Sequence, residues 1–394
     1  MPLINHAGGG GGTPQLCGQV ENFKVIPGTT ALTAALSWTA PSPDEDNSFV
    51  GARIVRKTGS APTGINDGTV VYEGTALSYT DTGLTAGTTY YYRAFAYNAR
   101  TKYQTAKRTV SLTALAVGVD LVFGNNSWSA IRQVSDLGEA QNFWSVGDRK
   151  QITIDGTING TTFSALPGNA FILGFNHNAE IEGANRIHLC IAGVQYTPSD
   201  GQATYQAWVD KYNSNTGKFY INKSQDNAGG WGSSDMRTKI LGTSITSYTG
   251  TFLGALPADL RTELKSITKY TDNTGGACTE AASVTATTDY MFLLSPYEIA
   301  AVKAGPSSPT MGSLIKVNPH EYKKQKQYDY FAAGNSQNFY CRSSGNYIVA
   351  VLWSRSPSGI TSSSNPGSYN SFCDSDGKGS LCNYSRGIIP CVCI

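Results

Sequence analysis

The stretch Tyr79–Asn98, YTDTGLTAGTTYYYRAFAYN, decides the fold of the first part of the chain. It joins a short turn to a run of bulky residues interleaved with small or polar ones, as expected of a strand. Similar short segments precede it: ALTAALSW at 31–38, FVGARIVRK at 49–57 and TVVYEG at 69–74. Period-two alternation broken by frequent turns is typical of a β-sandwich. The sequence therefore predicts an all-β sandwich over residues 21–114.

Together with LSWTAP at 36–41, the same stretch resembles a fibronectin type III domain. The resemblance implies that Trp38 is the core tryptophan of the sandwich. It also implies that Leu84–Tyr90 forms a tyrosine corner, in which the Tyr90 phenol ties the loop to the strand. Domains of this type mostly act as spacers, so the resemblance implies no chemistry in this region.

The composition is typical of an extracellular or virion β-rich protein. Only 15% of the 394 residues are charged, and the net charge is +2; about a quarter is usual. The densest basic run, KKQKQYDY at 323–330, is interrupted by Gln, Tyr and Asp. We interpret this run as solvated surface, and we expect no nucleic-acid partner because no larger basic patch accompanies it.

The chain carries no sequence signal for a membrane. No segment approaches the roughly 18 apolar residues of a membrane span, and MPLINHAGGGGGTPQ at 1–15 lacks the regions of an export signal. We therefore expect no membrane partner and no standard export. A phage virion protein fits both observations, because it assembles in the host cytoplasm and is released by lysis.

The Gly-rich residues 1–20 are too flexible to hold a core of their own. Two interpretations stand equal: a disordered leader, or an anchoring arm that becomes ordered only against another virion protein.

Residues 115–394 mix helices and strands. SPYEIAAVK at 295–303 predicts a helix with a capping box, with Ser295 as N-cap, Pro296 first in the helix and Glu298 third. Two more short helices are predicted in SSDMRTKIL at 233–241 and LPADLRTELKSI at 256–267. The predicted strands are RKQITIDG at 149–156, AFILGFNH at 170–177 and RIHLCIAG at 186–193. We expect an α+β domain whose final strand pairs in the middle of a sheet.

Eight motifs in this region occur in an order that resembles a known family. They are FGNNSWSAI (123–131), FWSVGDRKQITIDG (143–156), FILGFNHNAEIEGANRIH (171–188), NAGGWGSSDMR (227–237), ALPADLRTELKSITKYTDNTGG (255–276), TATTDYMFLLSPYEI (285–299), KQYDYFAAGNS (326–336) and a C-terminal stretch opening with LWSRSPSG (352–359). The set is similar to a domain widespread in gut bacteria and their prophages, which ends in a C-type-lectin-like fold. The resemblance covers about residues 120–394.

The resemblance implies binding rather than catalysis. In that fold, strands near 350–353 and 387–394 would form a frame, and residues 354–384, here called the displayed segment, would carry an exposed face. The framework residues would be Arg355 as a hydrogen-bonded or charge-paired anchor, Pro357, Trp353 and Trp231. The receptor-binding residues would be Tyr347, Ser354, Ser358, Ile360, Ser368, Tyr369, Asn370, Phe372, Asp374, Lys378, Ser380, Asn383 and Tyr384. Exposed Tyr, Ser, Gly and Asn resemble the composition of antibody paratopes.

Relatives of this kind include tail-fibre tip proteins that assemble as homotrimers, and several are targets of diversity-generating retroelements. Such elements randomise adenines in codons, and codons ending in a pyrimidine cannot then encode Glu, Gln, Met, Lys or Trp. Residues 346–394 contain no Glu, Gln or Met and a single Lys and Trp.

The chain departs from the family where Ser354 replaces an apolar residue before Arg-Ser-Pro, and where the chain ends in GIIPCVCI.

Signals for metal binding are weak. His177 and His188 are eleven residues apart, which matches no simple helical metal site, so we interpret them as satisfied core histidines. The sugar-binding motifs of calcium-dependent lectins are missing, and DSDGKGS at 374–380 lacks the closing Glu of a calcium loop. We expect neither a metal nor another cofactor.

Catalysis is not expected either. The eight cysteines contain no CxxC pair, and their spacing does not reproduce the reactive pair of the formylglycine-generating oxidases, which share the lectin-like fold. We interpret them as buried free thiols, with Cys391 and Cys393 on one face of a strand. The carboxylates Asp272, Glu280 and Asp289 form no glycosidase motif.

The sequence thus predicts a phage virion protein of the tail or baseplate that binds a bacterial surface receptor, glycan or protein, with its C-terminal domain. One alternative is a capsid decoration protein or head fibre with weak adhesive binding. A second is a bacterial adhesin carried on a prophage.

Overall fold

The computed structural model of the protein describes residues 17–41, 49–106, 108–197, 204–275, 280–301, 317–336, 339–343, 346–358, 371–374 and 379–394. For 342–343, 346–347, 358, 371–374 and 379–380 it describes the backbone alone. The chain divides into two compact units, Met1–Leu121 and Val122–Ile394.

The first unit is a sandwich of two antiparallel sheets. Its strands are β1 (Glu21–Pro27), β2 (Ala34–Thr39), β3 (Phe49–Thr58), β4 (Thr69–Gly74), β5 (Ser78–Asp81), β6 (Thr89–Asn98) and β7 (Thr109–Thr113). One sheet has the order β1-β2-β5 and the other the order β4-β3-β6-β7. Alternate residues of β2 point into the core, as the sequence pattern requires.

The features expected of a fibronectin type III sandwich are present. Trp38 is buried and lies edge-on to Phe23, with ring centroids 6.2 Å apart. The backbone N–H of Thr85 donates to the Tyr90 phenol at 3.1 Å, which is the predicted tyrosine corner. The prediction of a fibronectin type III-like β-sandwich is confirmed.

The first unit extends beyond its predicted limits of 21 and 114 at both ends. Cys17 and Val20 pack into the sandwich core, although residues 1–20 were predicted as a separate arm; residues 1–16 lie outside the described part. At the other end, Leu32 N–H donates to Leu115 C=O and Val119 N–H to Gly28 C=O. These hydrogen bonds hold the segment after β7 on the sandwich.

The second unit is also rich in strands. They are β8 (Arg149–Ile158), β9 (Thr161–Phe175), β10 (Ile187–Ala192), β11 (Gln195–Tyr196), β12 (Thr204–Tyr205), β13 (Ile267–Asp272), β14 (Val284–Asp289), β15 (Met291–Phe292), β16 (Tyr340–Ser343), β17 (Asn346–Val349), β18 (Trp353–Ser358), β19 (Ser371–Asp374), β20 (Gly379–Leu381) and β21 (Cys391–Cys393). The three strands predicted from sequence correspond to β8, β9 and β10.

A five-stranded antiparallel sheet forms the centre of this unit, in the order β15-β21-β10-β9-β8. The final strand β21 therefore lies between β10 and β15, as predicted. The unit also contains smaller antiparallel sheets: β11-β12, β13-β14, β16-β17 and β18-β19-β20. Because β21 is paired on both sides and fully buried, the end of the chain is part of the core.

The helices of the second unit are short. They are α1 (Trp128–Asp136), α2 (Ala179–Glu182), α3 (Gly230–Ser233), α4 (Phe252–Ala255), α5 (Ala258–Thr262), α6 (Pro296–Ala300) and α7 (Asp329–Ala332), with a π-helix at Met236–Leu241. The capping box of α6 is confirmed, because the Glu298 N–H donates to Ser295 Oγ and the Ser295 N–H donates to Glu298 Oε2. Among the described residues, no helix is long and apolar enough to cross a bilayer.

Candidate binding site and its frame

Strand β18, which carries the Arg-Ser-Pro motif, is buried from Trp353 to Pro357. Trp353 and Ser354 are each 2% exposed, Arg355 and Ser356 are 0% exposed, and Pro357 is buried. Consecutive side chains of a strand point to opposite faces, so β18 is covered on both. The displayed segment therefore starts from the interior of the second unit.

The Arg355 side chain is the central anchor of β18. Its guanidinium donates to both carboxylate oxygens of Glu298, with Nη2 3.0 Å from Oε1 and a shorter contact from Nη1 to Oε2. Nε donates to Thr271 Oγ1 at 3.0 Å and Nη1 to the Leu293 carbonyl at 2.9 Å. A bidentate arginine–carboxylate pair of this kind fixes orientation as well as charge.

Glu298 joins this anchor to the rest of the core. Besides capping α6, its Oε1 accepts from Lys269 Nζ at 2.9 Å. Lys269 also donates to Glu182 Oε1 at 2.8 Å and to the Tyr328 phenol at 3.0 Å. We call Glu182, Lys269, Glu298, Tyr328 and Arg355 the ionic cluster. Each of its members is buried, and two carboxylates balance two cations.

Charge pairing keeps Glu298 ionised inside the protein. Burial alone would raise its pKa, but the positive charges of Arg355 and Lys269 outweigh burial and hold the pKa of Glu298 well below its usual range. The Tyr328 phenol stays protonated, because burial and the nearby carboxylates raise its pKa well above the usual value. Glu298 is thus held as a charge with matched hydrogen bonds, whereas burial raises the pKa of Glu182, whose Oε2 has no hydrogen-bond partner among the described residues.

A second buried carboxylate holds the next residue of β18. Ser356 Oγ donates to Glu321 Oε2 at 2.6 Å, and the Asp272 N–H donates to Glu321 Oε1 at 2.8 Å. Burial raises the pKa of Glu321 to about 7, although these hydrogen bonds act in the opposite direction. Glu321 therefore titrates close to neutral pH.

The two ends of the displayed segment are also tied to each other. The Trp353 N–H donates to the Gly387 carbonyl at 2.9 Å, and Leu352 and Gly387 form a parallel bridge. The Trp353 indole N–H donates to the Phe219 carbonyl at 3.0 Å. Trp231, the other predicted framework tryptophan, is fully buried with its indole N–H 3.5 Å from Asp289 Oδ2.

Ser354 is a correction to the predicted binding residues. Its side chain is buried, because β18 starts at Trp353 and continues as a covered strand through this position. Ser354 belongs to the frame, so it does not contribute to an exposed face.

The remaining predicted binding residues fall into three groups. Asn383 and Tyr384 are half-buried, and the Arg386 guanidinium lies 5.5 Å above the Tyr384 ring. Backbone alone is described for Tyr347, Ser358, Phe372, Asp374 and Ser380, which lie in β17, β18, β19 and β20. Outside the described residues lie Ile360, Ser368, Tyr369, Asn370 and Lys378.

Apolar side chains are exposed in the hairpin that precedes the displayed segment in the sequence. Ile348 and Val349 in β17 are 37% and 44% exposed. In register, Val349 lies opposite Tyr340, whose ring is 5.0 Å from that of Tyr196. This hairpin therefore presents an apolar and aromatic surface.

Of the two histidines, His177 differs from the satisfied core residue that the sequence predicted, whereas His188 is bonded through Nδ1. His177 is buried and stacked on Tyr328 at 3.6 Å, yet neither ring nitrogen has a hydrogen-bond partner among the described residues. Burial and the charge of Lys269 lower the pKa of His177 to about 3. His188 Nδ1 lies 3.0 Å from the Tyr328 phenol and 3.4 Å from Cys393 Sγ.

Within the described part of the chain, one group of side chains has metal-ligand spacing. Ligand atoms of His177, Glu182 and Glu298 all lie within 4.8 Å of one another. However, the Lys269 ammonium already forms ion pairs with the carboxylates of both Glu182 and Glu298. The guanidinium of Arg355 pairs with the other carboxylate oxygen of Glu298, Oε2. A divalent ion added to this balanced set would bring uncompensated positive charge into the core.

The sequence did not identify the partners of Arg355. Glu298 was recognised only as a helix cap, and Lys269, Glu182, Tyr328 and Glu321 were not singled out. The alternation of side chains along β13 could have revealed the buried lysine, because Lys269 lies between Ile267 and Thr271 on the buried face of the strand. A lysine at an apolar phase of a strand indicates a buried charge partner elsewhere.

The comparisons with known proteins concern the fibronectin type III fold. A solution structure of the fibronectin type III domain of human fibronectin type III domain containing protein 3 is 19% identical. It covers 30% of this chain and 100% of its own, with a TM-score of 0.22. The sixth such domain of that human protein is 20% identical and covers 28% of this chain and 97% of its own, with a TM-score of 0.22. The chicken CNTN1 FN1–FN3 structure is 16% identical and covers 25% and 32%, with a TM-score of 0.21.

No family model and no curated protein matches the sequence. The fibronectin type III description of the first unit rests on its strand order, on Trp38 and on the tyrosine corner.

Proposed function

We propose that this protein is a structural protein of a phage tail or baseplate that binds a bacterial surface receptor through a lectin-like C-terminal domain. The first unit would act as a spacer, and the N-terminal residues would anchor the protein to other virion proteins. Receptor contact would be made by the displayed segment. No enzymatic step is part of this function.

The observation that carries the proposal is the burial of Arg355 on Glu298. Both atom pairs of this bidentate contact are sealed from water, and they hold the strand that leads into residues 359–370. A fixed strand lets the residues that follow it change without loss of the core. Such an arrangement suits a protein whose binding specificity varies while its fold stays constant.

The other end of the displayed segment supports the same interpretation. After Tyr384, the Ser385 N–H donates to the Ser214 carbonyl, and Ser385 Oγ donates to Asp210 Oδ1 at 2.9 Å. The chain then enters β21 in the centre of the main sheet. Both ends of the segment are therefore held by contacts that involve none of the residues 359–370.

The chemistry of the segment fits recognition of a polar surface. Residues 358–384 contain Ser, Gly, Asn and three aromatic residues, Tyr369, Phe372 and Tyr384. Aromatic side chains supply contact area at low entropic cost, and small polar residues adapt to hydrogen-bonding partners. The exposed Ile348 and Val349 would border this surface.

Exchange of the segment tests the proposal. In one variant, residues 359–370 are replaced by a Gly-Ser sequence of equal length, which leaves Arg355 and its partners intact. A matched control variant carries Thr153→Ser and Thr157→Ser on exposed positions of β8. Binding of fluorescently labelled full-length protein to intact bacteria of a susceptible host is measured by flow cytometry.

We expect the exchanged variant to lose at least tenfold in cell binding while its circular dichroism and thermal midpoint match those of the control. Undiminished binding by the folded variant would refute receptor binding by this segment.

Immunogold labelling of intact particles should place the protein at the tail, and labelling confined to the capsid would favour the decoration-protein alternative. Light scattering should give the mass of three chains, and any other mass would contradict the proposed homotrimer.

A further inference from the structure

Two cysteines face each other at the centre of the five-stranded sheet. Cys190 of β10 and Cys391 of β21 are direct partners in the antiparallel register. On the same ladder, Ile187 and Ile394 exchange both backbone hydrogen bonds, at 2.8 and 3.0 Å. Hydrogen-bonded and non-hydrogen-bonded pairs alternate along such a ladder. Cys190 and Cys391, three positions further on, therefore form a non-hydrogen-bonded pair.

This position suits a covalent link between the strands. Side chains of a non-hydrogen-bonded pair lie close together, with Cα atoms about 4.5 Å apart, and disulfides span Cα separations of roughly 4.4–6.8 Å. Both thiols are completely buried and free. Cys391 Sγ donates to the Ile389 carbonyl at 3.5 Å, and burial together with the neighbouring Cys190 thiol raises the pKa of Cys391.

The other described cysteines do not share this geometry. Cys393 lies on the same face of β21 but is paired in register with His188, towards which its sulfur points at 3.4 Å. Cys341 is opposite Ile348 in the β16–β17 hairpin. Among the described cysteines, Cys190 and Cys391 are the one pair that is directly opposed across two strands.

We propose that Cys190 and Cys391 form a disulfide bond when the protein folds in the presence of a small-molecule disulfide such as glutathione disulfide. The two thiols give up two protons and two electrons and gain one sulfur–sulfur bond. Glutathione disulfide accepts both protons and both electrons and leaves as two molecules of glutathione. This inference is independent of the proposed receptor-binding function.

The burial of the pair determines when the bond forms. Thiolate is the reactive form of cysteine, and burial raises the pKa of Cys391 well above its usual value. Exchange in the fully folded protein would therefore be slow, so the bond forms while β10 and β21 pair and the two thiols are still accessible to the oxidant. Once formed, it is shielded from reductants for the same reason, and it ties the last strand into the sheet.

The experiment compares full-length protein refolded with glutathione disulfide and protein refolded with dithiothreitol. After alkylation in denaturant, trypsin cuts behind Arg186, Lys211 and Arg386, which releases Cys190 in one peptide and Cys391 with Cys393 in another. We expect these two peptides to be joined in the oxidised sample, with fragmentation placing the bond at Cys391. The oxidised protein should also unfold roughly 5–10 °C higher than the reduced protein, because the bond closes a long loop.

Two single variants show which of the neighbouring thiols, Cys391 or Cys393, forms the bond with Cys190. The joined peptide should persist in Cys393→Ser and disappear in Cys391→Ser. If both wild-type thiols are fully alkylated after oxidative refolding, or if fragmentation places the bond at Cys393, the inference is wrong. The wild-type peptide map gives this answer even if a variant fails to fold. Equal unfolding midpoints for the two wild-type samples would contradict the stabilising role of the bond.

Discussion

The two units of the protein place their charges differently. In the sandwich, Arg56 donates to both carboxylate oxygens of Asp81 at 2.9 Å, and its side chain is still 19% exposed. In the second unit, the Arg355–Glu298 pair is 0% exposed on both sides. Water can compensate for a lost partner in the first case but not in the second. The second unit should therefore respond far more strongly to the removal of one charge.

The largest expected effect comes from breaking the ionic cluster. Glu298→Gln removes the charge that Arg355 and Lys269 share, and a buried cation left without its partner costs about 3–5 kcal/mol of folding free energy. The variant should unfold at clearly lower urea concentration, with hydrogen exchange assigning the loss to the second unit. Glu73→Gln is the control, since its pair with Arg53 is partly exposed and worth less than about 1 kcal/mol. Equal losses in the two variants would contradict the contrast between the units.

The next effect is a pH dependence near neutral pH that Glu321 confers on the second unit. The pKa of Glu321 is raised from 4.5 to about 7 in the folded protein, so folding favours its protonated form. The stability it contributes is fully present below pH 4.5 and is lost as the pH rises through 7. The loss is on the order of 3 kcal/mol, because a pKa difference of one between the folded and unfolded protein corresponds to about 1.36 kcal/mol.

Glu321→Gln measures this contribution directly, because glutamine stays neutral. Compared with the wild type, the variant should gain stability between pH 4.5 and pH 8 in urea titrations. The stability of the wild type is subtracted from that of the variant at each pH, because His177 changes the stability of both proteins with pH in the opposite direction to Glu321. The pKa of His177 is lowered to about 3, so its contribution is present above pH 6.5 and is lost as the pH falls. If the difference in unfolding free energy between wild type and variant does not change with pH, Glu321 is not a buried group that titrates near neutral pH.

A smaller effect is expected from the ion pair of the sandwich. Asp81 accepts from Arg56 and from the Tyr92 phenol, the latter at 2.9 Å. Asp81→Asn weakens both contacts and should cost about 2 kcal/mol, within the usual range for hydrogen bonds to a charged group. Hydrogen exchange should show faster opening of β3 and β5 with unchanged protection of β10 and β21. Loss of protection in the second unit would mean that the two units do not respond separately.

The smallest effect should come from the tyrosine corner. Tyr90→Phe removes the acceptor for the Thr85 N–H and leaves the ring in place, so we expect a loss of about 1 kcal/mol. Tyr91→Phe, at the adjacent and half-buried position of the same strand, serves as the control and should change stability less. Calorimetry of both variants provides the comparison. A larger loss for Tyr91→Phe would argue against a stabilising corner.

The sequence predicted what depends on local pattern. Alternation and turns were enough for the sandwich, and Ser295 with Glu298 was enough for the start of α6. The central position of β21 was also predictable, because an apolar strand at this place in an α+β unit needs cover on both faces. In each case, the information lies within about ten residues of chain.

The ionic cluster could not be predicted in this way, because its members come from distant parts of the chain. Glu182 and Lys269 are 87 residues apart, and Arg355 and Glu298 are 57 apart. A local pattern does not record which buried charges meet. The exposure predicted for Ser354 was wrong for a related reason: a serine is compatible with either environment, and only the course of β18 decides between them.

The central claim is that the frame around Arg355 and β21 keeps its stability when residues 359–370 are replaced. Amide hydrogen exchange tests this claim most directly. Full-length wild type and the variant with residues 359–370 replaced would be compared at the amides of Arg355 and Val392. Equal protection in both proteins, close to that of global unfolding, is the predicted result. Exchange at these amides that becomes faster by tenfold or more on replacement, in a variant that is still folded, would contradict the account.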